Sequence, residues 1–173
     1  KGRKGQRITA RHAEVLLNGE LFTKPRRSAK AKLEYVCCGE EETYCPKFTF
    51  MGFRYAELCG IEPENVKVRM KVISSIDEET GDFFCSNESI NRLQKNIRYS
   101  GFSNFLEIPT DCPQRDERLG WTGDISVFAS TACFNFNMNR FLRKWLIDVK
   151  AQQTKDGGIP VVVPRVKHFG GTK

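Results

Sequence analysis

The 173-residue chain carries a net charge of +7 and is 39% hydrophobic, which suits one ordinary domain or two small ones with a buried core. No apolar run approaches the roughly eighteen residues of a membrane-spanning helix, and no signal-peptide pattern opens the chain. The charge is concentrated: residues 1–32 hold ten basic side chains against Glu14 and Glu20, a net of +8 that leaves −1 for the rest. A basic end can attract nucleic acid, but basic residues alternating with apolar ones form the wet face of a sheet, so neither nucleic acid nor a membrane is expected as a partner.

In chain order, the first elements read as strands. Val15, Leu16 and Leu17 lead into Asn18-Gly19, and Glu20, Leu21 and Phe22 lead out. Asn-Gly between apolar runs signals a hairpin because both turn positions need positive φ. Ala31, Leu33, Tyr35 and Cys37 then alternate with Lys32 and Glu34, the pattern of a half-buried strand. Phe48 and Phe50 set one phase and Phe53 and Tyr55 the other, and a slip at Gly52 predicts a β-bulge. Val66, Val68, Met70 and Val72 alternate strictly with Lys67, Arg69 and Lys71 and predict the most regular strand. Together these give an antiparallel, sandwich-like domain, or the C-terminal part of one, over residues 1–76.

Strand patterning stops in a hydrophilic stretch, Asp77, Glu78, Glu79, Thr80, Gly81 and Asp82, so residues 77–85 are expected to form an acidic linker. Helical patterning fills residues 86–173. Ser86 and Asn87 offer a cap, and Ile90, Leu93 and Ile97 recur on one face of a helix running to about Tyr99. Residues 125–136 are apolar nearly all round, as in a buried inner helix. Asn139 is placed to cap a third helix, whose stripe of Phe141, Leu142, Trp145 and Val149 is backed by outward Arg140, Arg143, Lys144 and Lys150. Residues 159–164 read as extended. Strands followed by helices, without alternation, argue against a parallel α/β sheet. The chain begins at Lys1 and stops at residues 170–173 without finishing an element, so it is expected to be a piece of a longer protein.

Seven cysteines, an odd number with no C-x-x-C pair, and two distant histidines, His12 and His168, do not make a zinc site. No metal or organic cofactor is expected. Reduced thiols favour a cytoplasmic location. Cys112 has no histidine near it in sequence to act as base, and reads as a small buried thiol rather than a nucleophile.

The densest chemistry lies in residues 110–124, TDCPQRDERLGWTGD. Asp111, Asp116, Glu117 and Asp124 can handle protons and hydroxyls, Arg115 and Arg118 can donate forked hydrogen bonds, and Trp121 supplies a flat apolar wall. Pro113, Gly120 and Gly123 keep the stretch from being one regular helix. These are the parts of a sugar-cleaving site. They are also the parts of a solvated loop between helices, and residue types alone leave both readings open.

Residues 110–124, preceded by FLEIP and by the CSNESINRLQKNI helix, closely resemble the signature of bacterial α-L-rhamnosidases, inverting glycoside hydrolases with an (α/α)6-barrel catalytic domain. KGQRITARHAEVLLNGELFTKPRRSAKAKLEYVCCG and PKFTFMGFRYAELCG resemble the β-domain segment that precedes that barrel, and GGIPVVVP resembles the loop after its early helices. The resemblance implies that residues 86–173 are the N-terminal part of the barrel and that the substrate is a rhamnose-containing glycoside. Glu117 matches the family's general acid; Asp111, Arg115 and Asp124 match residues that hydrogen-bond the rhamnose hydroxyls; Trp121 matches an aromatic wall of the sugar pocket. Asp116 receives no direct role, and an ion pair with Arg118 or another neighbouring arginine is its plain structural reading. Inversion needs a second carboxylate as base. No residue of this chain matches the family's base motif, Glu107 and Asp148 included, so the fragment alone is expected to be inactive. A non-catalytic carbohydrate-binding fragment and a related (α/α)6 glycosidase acting on another sugar are the alternatives.

Overall fold

A computed structural model describes residues 1–166; His168 and the terminal residues 170–173 lie outside the described residues. The chain folds as two compact units, one made of Lys1–Lys71 with Pro113–Asp116, the other of Val72–Cys112 with residues 117–166.

The first unit is built on β1 (Arg7–Ala13), the centre of a three-stranded antiparallel sheet. β2 (Val15–Leu17) and β3 (Glu20–Phe22) form the expected hairpin, with Asn18 and Gly19 at φ 52° and 86°. A 3-10 turn, Lys24–Arg26, leads to β4 (Lys32–Val36), where Leu33 and Tyr35 are half-buried and Lys32, Glu34 and Val36 exposed. β4 pairs with one edge of β1 and β5 (Tyr55–Cys59) with the other. Arg11 faces Glu57 across that ladder, with Nε 2.9 Å from the carboxylate, and Arg7 reaches Glu34 at 3.3 Å. These exposed pairs contribute about 0–1 kcal/mol each. They place part of the basic excess on a solvated sheet face. His12 is a core histidine: it is buried, its Nδ1 lies 3.0 Å from the Ala31 carbonyl oxygen, and its ring meets Phe53 edge-on at 4.7 Å.

Two strand expectations fail. Residues 66–72 form no ladder, although Val66 is extended at φ −136° and ψ 138°. Alternation reports which residues differ in polarity, whereas a strand also needs a hydrogen-bonded partner, and residues 66–72 pair with none of the described strands. Val68 and Val72 are accordingly 68% and 82% exposed. The slip at Gly52 is not a bulge either, because the ladder begins only at Tyr55. Gly52 instead marks a close backbone approach: a Cβ there would lie 2.6 Å from the Pro113 carbonyl oxygen.

In the second unit, α1 (Glu88–Asn104) starts where expected, the Asn87 side chain accepting from the N–H groups of Ser89 at 3.0 Å and Ile90 at 3.3 Å, but runs past Tyr99. Two short strands follow, β6 (Phe105–Leu106) and β7 (Ile108–Pro109), turned at Glu107. α2 (Thr122–Asn135) and α3 (Asn139–Gln152) complete it. Asn139 does not cap α3; it is the first helical residue, and its N–H is taken by the Asn137 side chain at 3.3 Å. The stripe of α3 packs as expected, with Phe141 and Trp145 buried beside Phe105, Ile125, Phe136 and Val163. Nor is α2 enclosed: Ile125, Ala132 and Asn135 are buried, but Val127 is 85% and Phe134 56% exposed. An apolar surface predicts a neighbour, and these side chains have none covering them among the described residues. The acidic stretch is held against the end of α2, with Thr80 N–H donating to the Asn135 carbonyl at 2.9 Å and Asn137 N–H to that of Glu78 at 2.9 Å.

Candidate active-site loop

Residues 110–121 form a closed loop. Thr110 and Gly120 pair antiparallel at its neck, and the Thr110 N–H and hydroxyl donate to the Asn104 carbonyl at 3.0 and 2.9 Å, tying the neck to the end of α1. Within the loop the Leu119 N–H points at Asp111 Oδ1, 3.5 Å away. Trp121 pairs with Val162. Around that bridge, Val163 N–H donates to Gly120 O at 2.8 Å, Thr122 N–H to Val161 O at 3.0 Å, and the Trp145 indole to Val163 O at 3.1 Å. Val162 and Val163 are fully buried, so the loop's exit rests on a packed floor. Gly120 is required there, because a Cβ would overlap the Val163 carbonyl oxygen.

The expected site residues fall into this frame unequally. Glu117 is half-buried and its Oε2 is shielded from solvent. The Trp121 indole N–H donates to the Glu117 carbonyl oxygen at 3.2 Å, so the ring is held beside the residue matched to the general acid. Asp111 is half-buried in the same loop, and Asp124 is exposed in the first turn of α2, where a negative charge also complements the helix dipole. Arg115, half-buried, lies in the Pro113–Asp116 segment that folds with the first unit. Asp116 lies in that segment too. Its carboxylate accepts from the backbone N–H of Ser28 at 3.2 Å and from the Ser28 hydroxyl. Those bonds, aided by the charge of Arg27, hold the Asp116 carboxyl below the usual carboxylate range. Ser28 lies 88 residues away and no local pattern marks it.

Glu107 and Asp148 are both engaged by Lys144, at 2.9 and 3.3 Å, and the hydrogen bond that Lys144 donates to Glu107 leads the effects that raise the Lys144 pKa. Cys112 is buried. Among the described residues no cluster of histidine, cysteine and carboxylate side chains is arranged to hold a metal.

Residues 78–173 match the bacterial α-L-rhamnosidase 6 hairpin glycosidase domain, and residues 1–77 the bacterial α-L-rhamnosidase concanavalin-like domain. The chain belongs to the bacterial α-L-rhamnosidase family. It is 44% identical to an α-L-rhamnosidase of Streptomyces avermitilis over 98% of this chain and 17% of that protein. The crystal structure of native α-L-rhamnosidase from Aspergillus terreus matches with a TM-score of 0.91 and 44% identity, covering 99% of this chain and 21% of that one. The Streptomyces avermitilis α-L-rhamnosidase complexed with L-rhamnose matches with a TM-score of 0.90 and 44% identity, over 98% of this chain and 17% of that one. The chain thus spans about a fifth of the length of these α-L-rhamnosidases.

Proposed function

We propose that the complete protein is a glycoside hydrolase that releases terminal α-L-rhamnose with inversion, and that Glu117 is its general acid. The observation that carries this reading is the placement of Glu117: in a loop closed at Thr110 and Gly120, with Oε2 shielded from solvent and the Trp121 indole bound to its own backbone. Family membership and the L-rhamnose held by the Streptomyces avermitilis relative support the choice of sugar.

In this mechanism Glu117 gives its proton to the glycosidic oxygen as the bond to the anomeric carbon breaks. Water attacks the opposite face of the ring, and its proton passes to a second carboxylate about 6.5–9.5 Å from the acid. Asp111, Arg115 and Asp124 hydrogen-bond the sugar hydroxyls and Trp121 walls the apolar face of the ring. The base is assigned outside these 173 residues, because no residue of this chain, Glu107 and Asp148 included, matches the family's base motif. Residues 1–76 are assigned to a β-domain, 77–85 to an acidic linker and 86–173 to the start of the catalytic domain.

The test is hydrolysis of an aryl α-L-rhamnoside followed by proton NMR, with the complete protein and residues 1–173 assayed side by side. The complete protein should release β-L-rhamnose first and the fragment should release none. Initial release of the α-anomer, or turnover by the fragment, would contradict the proposal.

A further inference from the structure

We propose that Asp116 is a positioning residue for the general acid, acting through a hydrogen-bonded clamp with Ser28; this rests on the assignment of Glu117 above. Between Cys112 and Glu117 the chain enters the first unit for only four residues, Pro113–Asp116. That short segment is held at both ends within the unit. At one end the Pro113 carbonyl lies against Gly52 so closely that no side chain fits between them. At the other, one oxygen of Asp116 accepts both the N–H and the hydroxyl of Ser28. Two donors from one residue fix the direction of the carboxylate as well as its place.

Ser28 is itself well supported. It follows the Lys24–Arg26 turn, in which Arg27 N–H donates to Lys24 O at 3.1 Å and Ala29 N–H to Arg26 O at 3.0 Å. The buried Arg26 guanidinium then ties the far side of the turn, donating to the Lys30 carbonyl at 2.8 Å. The clamp therefore joins a packed turn to the residue immediately before Glu117. Adjacent Cα atoms are separated by a rigid peptide of about 3.8 Å, so a displacement of Asp116 is handed on to Glu117. A general acid has to come within about 2.6–3.2 Å of the atom it protonates, and a misplacement of about 1 Å can cost about 100-fold in rate. Asp116 is exposed and needs no contact with the sugar to act in this way.

The experiment uses the complete protein and the variants Ser28→Ala, Ser28→Thr, Asp116→Ala and Glu117→Gln, with kcat and KM measured on a nitrophenyl rhamnoside and on an alkyl rhamnoside. The alkyl alcohol must be protonated to depart, whereas the nitrophenolate leaves with little help. Ser28→Ala and Asp116→Ala should lower kcat on the alkyl substrate by about 10- to 100-fold, lower it much less on the nitrophenyl substrate, and leave both KM values nearly unchanged. Ser28→Thr, which keeps the hydroxyl, should retain activity on both. Equal losses on the two substrates, a rise in KM alone, or no loss in either variant would overturn the clamp. If Glu117→Gln itself shows no dependence on the leaving group, the assignment of the acid falls and the clamp's role falls with it. A normal Glu117→Gln response with silent Ser28 and Asp116 variants overturns the clamp alone.

Discussion

The Asp116 carboxylate is committed to Ser28, in another part of the first unit. The Ser28 bonds favour its charged form, so its pKa in the folded state lies below the unfolded value of about 3.9. Stability contributed by such a group is fully present above the unfolded value and fades as pH falls through the folded one. The clamp is therefore intact at neutral and mildly acidic pH. Carbon-13 NMR titration should place the Asp116 carboxyl below the ordinary aspartate range, and Ser28→Ala should move it back up; an unshifted carboxyl in the parent protein would contradict this. At this scale the sequence was informative about chemistry and silent about partners. A mixture of carboxylates, guanidinium groups and an indole is visible in residues 110–124, but a carboxylate seen in sequence invites pairing with the nearest arginine. The serine that holds Asp116 is 88 residues distant, and only the folded chain brings it there.

Elements with local causes were legible. Asn18-Gly19 needs two positive φ values and makes its hairpin, the Asn87 oxygen caps α1, and the 3.6-residue stripe of Phe141, Trp145 and Val149 puts α3 on its core. Residues 66–72 show the limit, since their period of two says nothing about which edge is open, and β5 rather than this segment completes the sheet. The pairing of residues 120–122 with 161–163 was equally hidden, although it fixes the exit of the loop on which Trp121 sits. It leads to a sharp expectation for Gly120→Ala. The added Cβ meets a backbone oxygen at a buried position, where nothing yields as cheaply as a flexible side chain would. Overpacking of this kind costs about 1–3 kcal/mol, and this case belongs at the upper end. Urea unfolding of the complete protein should show that loss, together with a fall in turnover as Trp121 shifts; an unchanged midpoint would contradict the pairing described here.

At the scale of the molecule, 173 residues cover about a fifth of the relatives they match. Val127, Phe134, Leu146 and Ile147 are exposed, more apolar surface than isolated helices leave to water without reason. The sequence marked α2 as enclosed on all sides, and the described residues cover only part of it. The neck of the loop, by contrast, is hydrogen-bonded within the second unit. The proposed hydrolysis requires a proton from Glu117. Its most direct test is Glu117→Gln in the complete protein, compared with the parent on a nitrophenyl and an alkyl α-L-rhamnoside, with rhamnose binding measured separately. Glutamine keeps the size of the side chain and removes the proton. Turnover of the alkyl substrate should fall by about 100- to 10,000-fold, that of the nitrophenyl substrate should fall much less, and rhamnose should still bind. Equal rates for parent and variant on the alkyl substrate would show that the proton comes from another group.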